Sequence, residues 1–129
     1  MKKRSLLAAL ASVSVLSSCG GSADAPDAHT KSVTVQHVAF DPPVLEVTPG
    51  TEVTWTNRDA QVVHTATSGA PGDKGVPGLD NGTPPKPDGV FDGEMDGAGA
   101  AFSFTFEEAG TYAYFCRVHQ SMTGEVVVR

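Results

Sequence analysis

From residue 32 to the C-terminus, large apolar residues recur at every second position, the period of a half-buried strand rather than the 3.6 of a helix. Val33, Val35, His37 and Ala39 fall on one face of a first strand, which Phe40-Asp41-Pro42-Pro43 breaks. Val44 to Thr48 gives a second, closed by the turn signal Pro49-Gly50. Val53 and Trp55 alternate with threonines in a third, ended at Asn57-Arg58-Asp59, and Val62 to Thr67 makes a fourth. Phe102, Phe104 and Phe106 alternate with Ser103 and Thr105, a pattern that packs one face and wets the other. Thr111 to Cys116 and Gly124 to Arg129 complete the set. About seven short strands separated by turns predict an antiparallel sandwich or barrel, and no part of this region supports a long helix.

One segment departs from that pattern. Residues 68–90 contain six glycines and five prolines, with Val76, Leu79 and Val90 as their only large aliphatics. The composition predicts a long loop inserted between strands, and loops beyond ~12–15 residues tend to be functional or disordered. Acidic groups gather there and just after, at Asp73, Asp80, Asp88, Asp92, Glu94 and Asp96, against Lys74 and Lys86. They read most simply as a solvated loop.

With 129 residues, of which 40% are hydrophobic and 19% charged, the chain holds one ordinary domain and not two. A formal charge of −6 argues against nucleic acid as a partner. The first residues read as an export signal. Lys2, Lys3 and Arg4 precede an apolar stretch, Leu6 to Leu16, shorter than the ~20 residues of a membrane span. The stretch runs into Leu16-Ser17-Ser18-Cys19, which resembles a bacterial lipobox, with Cys19 as the lipidated residue. A plain secretory peptide cut near Ala23 or Ala25 is the alternative. Residues 1–18 are then a lipoprotein signal peptide, 19–31 a flexible tether of small polar residues, and 32–129 the domain. Removing the three leading cations moves the charge from −6 to −9. The expected location is outside the cytoplasm, lipid-anchored on the periplasmic or extracellular side of a bacterial membrane.

Lipidation of Cys19 would leave Cys116 as a lone thiol in an oxidising compartment, and metal ligation is one explanation for such a residue. Its surroundings favour that explanation. Cys116, His119 and Met122 follow one another at C-x2-H-x2-M spacing, where one strand ends and the chain turns into the last. A loop that tight can direct a thiolate, an imidazole and a thioether to one point. His64, beyond the Asn57-Arg58-Asp59 turn, could supply a second imidazole. Two His and one Cys with a weak axial Met is the donor set of a blue-copper site, whereas structural zinc sites seldom use Met.

On these residues the domain resembles the cupredoxins, in the amicyanin, plastocyanin and halocyanin-like group. Val53-Thr54-Trp55-Thr56-Asn57, His64, Gly110-Thr111-Tyr112, the Cys116–His119–Met122 spacing and Gly124-Glu125-Val126-Val127-Val128 carry the likeness, and the short ligand spacing is closest to amicyanin. The resemblance implies a Greek-key antiparallel β-sandwich of about seven to eight strands. It also implies one type 1 copper ion on His64, Cys116, His119 and Met122, and electron transfer by Cu(I)/Cu(II) cycling rather than enzymatic turnover. His119 would be the exposed edge through which electrons pass to a redox partner such as a c-type cytochrome or a dehydrogenase. A monomer is expected, held to the membrane through its lipid alone. Val63 and Thr65 flank His64 where the family often has Pro and Asn, and Val118 and Gln120 replace prolines of the ligand loop. Thr65 is then the candidate to brace that loop by a hydrogen bond.

Plainer readings stand beside these. Cys116 alone would pass for a buried structural thiol, and His64 for a satisfied core histidine. Met122 could be a core residue, and Met95 in its Gly-rich acidic stretch is a poorer axial candidate. His37 and His29 read as structural or solvated. The competing functions are an exported copper-handling lipoprotein, a chaperone or resistance factor, and a metal-free adhesive sandwich.

Overall fold

Nine strands form in the computed structural model, which describes residues 29–73, 75 and 82–129. The expected signal peptide, Cys19, the tether through residue 28, and positions 74 and 76–81 lie outside the described residues. The strands are β1 (Thr30–Gln36), β2 (Ala39–Asp41), β3 (Val44–Val47), β4 (Thr51–Asn57), β5 (Val63–Ala70), β6 (Lys86–Asp96), β7 (Ala101–Phe106), β8 (Gly110–Phe115) and β9 (Thr123–Val128). They make two sheets, in the orders β2-β1-β4-β7 and β3-β9-β8-β5-β6. Among the described residues no helix occurs.

The predicted sandwich is present, with one amendment to its purely antiparallel reading. β1 pairs with β4 and β3 with β9 in parallel, while the other pairings are antiparallel. Period-two burial shows why these segments are strands. Thr51, Val53, Trp55 and Asn57 point inward from β4, and Val126 and Val128 from β9. Trp55 is the centre of the core, with the rings of Phe91, Phe102, Phe106 and Tyr114 at 5.4, 5.7, 6.4 and 5.4 Å. Truncating so large a buried aromatic to Ala typically costs about 3–5 kcal/mol.

Three expectations need correction. The tether ends earlier than residue 31, because Thr30 and Lys31 already pair with Glu52 and Val53. His37 is not on the apolar face of the first strand. β1 stops at Gln36, and His37 and Val38 reverse the chain with φ of 53° and 60°, pairing Gln36 with Ala39. That is a two-residue hairpin turn of the primed kind, which usually takes Asn-Gly, so the sequence gives no warning of it.

The third correction concerns 68–90. Ser68–Ala70 belong to β5 and Lys86–Val90 to β6, with Ala70 opposite Lys86, so the hairpin consumes both ends of the expected loop. β6 is an edge strand, where Pro87 and outward charges are tolerated. Its inward positions are Phe91, Gly93 and Met95. Gly93 occupies an apolar slot because a Cβ there would lie 2.0 Å from Cγ of Phe102, across the sandwich on β7. The face of that ring fills the space a side chain would take.

Candidate metal centre

β5 and β8 pair where Thr67 and Ser68 face Phe115 and Tyr114. Beyond that point the two strands part, and the loop from Cys116 to Met122 fills the opening beside His64. The loop closes on itself. The Cys116 N–H donates to the Met122 carbonyl at 3.1 Å and the Met122 N–H to the His119 carbonyl at 2.9 Å. Cys116 and Met122 thus sit buried at its neck, while His119, toward its tip, is only half-buried.

β5 holds the loop from the side. The Arg117 N–H donates to Thr65 Oγ1 at 2.8 Å, and the Thr65 N–H points at Cys116 Sγ at 3.3 Å. The bracing role expected of Thr65 is therefore filled by its hydroxyl. Thr65 Oγ1 and Thr67 Oγ1 are 3.0 Å apart, and Thr67 Oγ1 donates to Asp92 Oδ1 at 2.8 Å. Since Thr67 gives its proton to the carboxylate, Thr65 gives its own to Thr67. The Arg117 side chain completes the ring with Nε 3.2 Å from Asp92 and 3.3 Å from Thr67 Oγ1. Fully satisfied polar networks of this kind rigidify what they surround.

One donor atom from each of His64, Cys116 and His119 lies within 4.8 Å of the others. Cys116 Sγ is 3.8 Å from His119 Nδ1, and the two imidazole centroids are 4.8 Å apart. Bonds of about 2.0–2.3 Å to one ion hold its donors up to about 4.5 Å apart, close to this spread. The decisive detail is on His64. The ring is fully buried, its Nε2 meets Asp59 Oδ2 at 3.0 Å, and its Nδ1 has no hydrogen-bond partner. A buried nitrogen left without a partner is costly unless something outside the protein chain takes it up. A cysteine sulfur, a half-exposed imidazole and an orphaned buried nitrogen suit a soft, borderline metal such as copper.

Among the described residues this is the group of His, Cys and acidic side chains arranged to hold an ion. Met122 is buried in the same loop with 1% exposure, but Met95 is as deeply buried, opposite His64 on β6. His29 and His37 are exposed and are not members of the donor group, as expected of structural or solvated residues. The residue that sequence reasoning missed is Asp59. Only its position five residues before His64, in the turn after β4, could have pointed to it. Its carboxyl is held below the ordinary aspartate value, chiefly by the His64 hydrogen bond and further by the backbone N–H of His37, against the opposing pull of burial.

Residues 28–129 match the family of copper binding proteins described as plastocyanin/azurin. The chain is 32% identical over 106 residues to the amicyanin of Paracoccus versutus, which covers 82% of this chain and 69% of that protein. It is 36% identical over 98 residues to the amicyanin of Paracoccus denitrificans, covering 74% and 63% of the two. Amicyanin-alpha of Methylorubrum extorquens (strain ATCC 14718 / DSM 1338 / JCM 2805 / NCIMB 9133 / AM1) aligns over 99% of both chains at 30% identity. A solved structure of a reduced, Cu(I) amicyanin variant superposes with a TM-score of 0.58 at 34% identity, over 78% of this chain and 82% of that one. The chain belongs to the plastocyanin/azurin family of copper binding proteins. Within that family it is an amicyanin-like cupredoxin, an electron-transfer protein whose His64, Cys116 and His119 form a potential type 1 copper site.

Proposed function

We propose that this chain carries single electrons between exported redox proteins, with Met122 completing the donor set of His64, Cys116 and His119. The observation that carries the reading is the buried, unpartnered Nδ1 on a histidine that is grouped with a cysteine sulfur and a second imidazole. Copper bound there supplies one-electron redox chemistry. The chain's own contribution is a donor set held still by Thr65, the neck of the loop and the β5 wall. Four protein donors leave no ligand position for a substrate, so the protein is a carrier and not an enzyme. The half-exposed His119, beside the exposed Val118, is the edge at which a c-type cytochrome or a dehydrogenase would dock. The basic n-region, apolar stretch and Leu16-Ser17-Ser18-Cys19 support export and a lipid anchor on Cys19. Loss of fatty-acid labelling in Cys19→Ala tests the anchor.

The experiment for the function is optical. The chain loaded with Cu(II) should be intensely blue and reversibly bleached by ascorbate. A colourless complex that yields Cu(I) readily to a chelator would replace the carrier with the copper-handling reading.

A further inference from the structure

Asp59 joins two features that the copper reading leaves unexplained. One is the turn between β1 and β2, where His37 and the β-branched Val38 both occupy the left-handed region, at φ 53° and 60°. Non-glycine residues hold such conformations only when their surroundings over-determine them. Here the His37 N–H donates to Asp59 Oδ2 at 2.9 Å. The other feature is His64, whose Nε2 meets the same oxygen at 3.0 Å. Asp59 is itself fixed: its N–H donates to Asn57 Oδ1 at 2.8 Å, and the buried Asn57 amide donates to the carbonyls of Val62 and Met95 at 2.7 and 3.0 Å. One carboxylate oxygen thus accepts from a strained turn on one side and from a buried imidazole on the other.

We propose that Asp59 is the positioning residue of the site: its carboxylate keeps the His64 proton on Nε2, leaves the Nδ1 lone pair free toward Cys116 and His119, and ties that imidazole to the His37–Val38 turn. A carboxylate accepts only, so the atom facing it must carry the proton, and the tautomer follows from the geometry. An anionic partner also makes the imidazole a stronger donor, which favours Cu(II) over Cu(I). The inference rests on the copper-carrier reading for its effect on the metal, but the tautomer belongs to the protein alone.

The test begins on the copper-free full chain, by nitrogen-15 NMR of the imidazoles and by amide exchange. His64 should carry its proton on Nε2, and Asp59→Ala should lose that preference and speed exchange at the His37 amide. Titrated with Cu(II) alone, Asp59→Ala should bind about 10–100-fold more weakly. Asp59→Asn, whose amide oxygen still accepts, should restore the tautomer and most of the affinity but raise the reduction potential, because the charge is gone. A proton on Nδ1 in the parent, or an Asp59→Ala variant with tautomer and affinity intact, would overturn the proposal. Should Asp59→Ala not fold, an unchanged potential in Asp59→Asn overturns it equally. A parent that takes up no copper would overturn the proposed function instead, while the NMR measurement still decides the role of Asp59.

Discussion

The candidate site is made of two unlike halves. His64 rides on β5, a strand hydrogen-bonded to β6 along most of its length and buried at both its apolar and polar positions. Cys116, His119 and Met122 ride on a loop whose own backbone hydrogen bonds are one across its neck and one turn, and whose tip reaches solvent. A strand alone would give rigidity without access, and a loop alone access without rigidity. Joining them at Thr65 lets the loop that carries the half-exposed imidazole borrow the stiffness of the sheet. A carrier that must keep one ligand set for two oxidation states needs that combination.

The largest effect should come from removing the thiolate on the loop side. Cys116→Ser should abolish the blue charge-transfer band outright, because oxygen does not donate to copper as a thiolate does. Absorption spectra of the copper-loaded variant check this, and persistence of the band would place the metal away from Cys116. His64 would then be a strand histidine with no part in the comparison.

The two halves also differ in how far the sequence disclosed them. The loop was legible because its chemistry is local: a thiol, an imidazole and a thioether within seven residues allow few other readings. The strand alternations around Trp55 and Phe102–Phe106 were equally plain, since Val53, Trp55, Phe102, Phe104 and Phe106 place large apolar side chains at every second position. β6 was not, because its inward row runs Phe91, Gly93, Met95, and the glycine stands in for bulk that Phe102 supplies from the opposite sheet. That is a tertiary fact with no local trace. The contribution of Asp59 was hidden for the same reason, since a carboxylate in a turn looks solvated until the turn is folded against His64.

Gly93→Ala tests the β6 assignment. The new methyl group would meet the Phe102 ring, and overpacking of this kind typically costs about 1–3 kcal/mol. Urea denaturation of the metal-free protein measures it. A neutral result would mean that β6 is not pressed against β7, and that the segment behaves as the loop its composition suggests.

A smaller loss is expected where strand and loop are joined. Thr65→Val keeps the shape but removes the acceptor for the Arg117 N–H and the link to Thr67. One such hydrogen bond contributes about 1 kcal/mol. The informative readout is the width of the copper electron paramagnetic resonance lines, which should broaden as the loop gains freedom. Unchanged lines together with unchanged stability would show that the loop holds itself.

The smallest effect concerns the outer face of β6, where Asp92, Glu94 and Asp96 are all exposed. Asp92 is spoken for, since it pairs with Arg117, two residues from His119. A half-exposed pair of this kind contributes roughly 0–1 kcal/mol, so its value lies in placement more than in stability. It puts the end of the acidic row beside the ligand loop, where a basic electron-transfer partner would approach His119. Glu94 and Asp96 continue the row without a cation to neutralise them among the described ion pairs. Steering by such a row raises association rates by ~10-fold or more at low salt and fades as the Debye length shortens to ~8 Å. Electron exchange with a basic cytochrome should therefore slow as ionic strength rises. Replacing Glu94 and Asp96 with Gln and Asn should flatten that slope while leaving the copper spectrum and the Arg117 pairing unchanged. Stopped-flow rates across a salt series decide it: an equal slope in parent and variant would assign the acidic row to solubility of the sheet edge, and leave access to the site to His119 and Val118 alone.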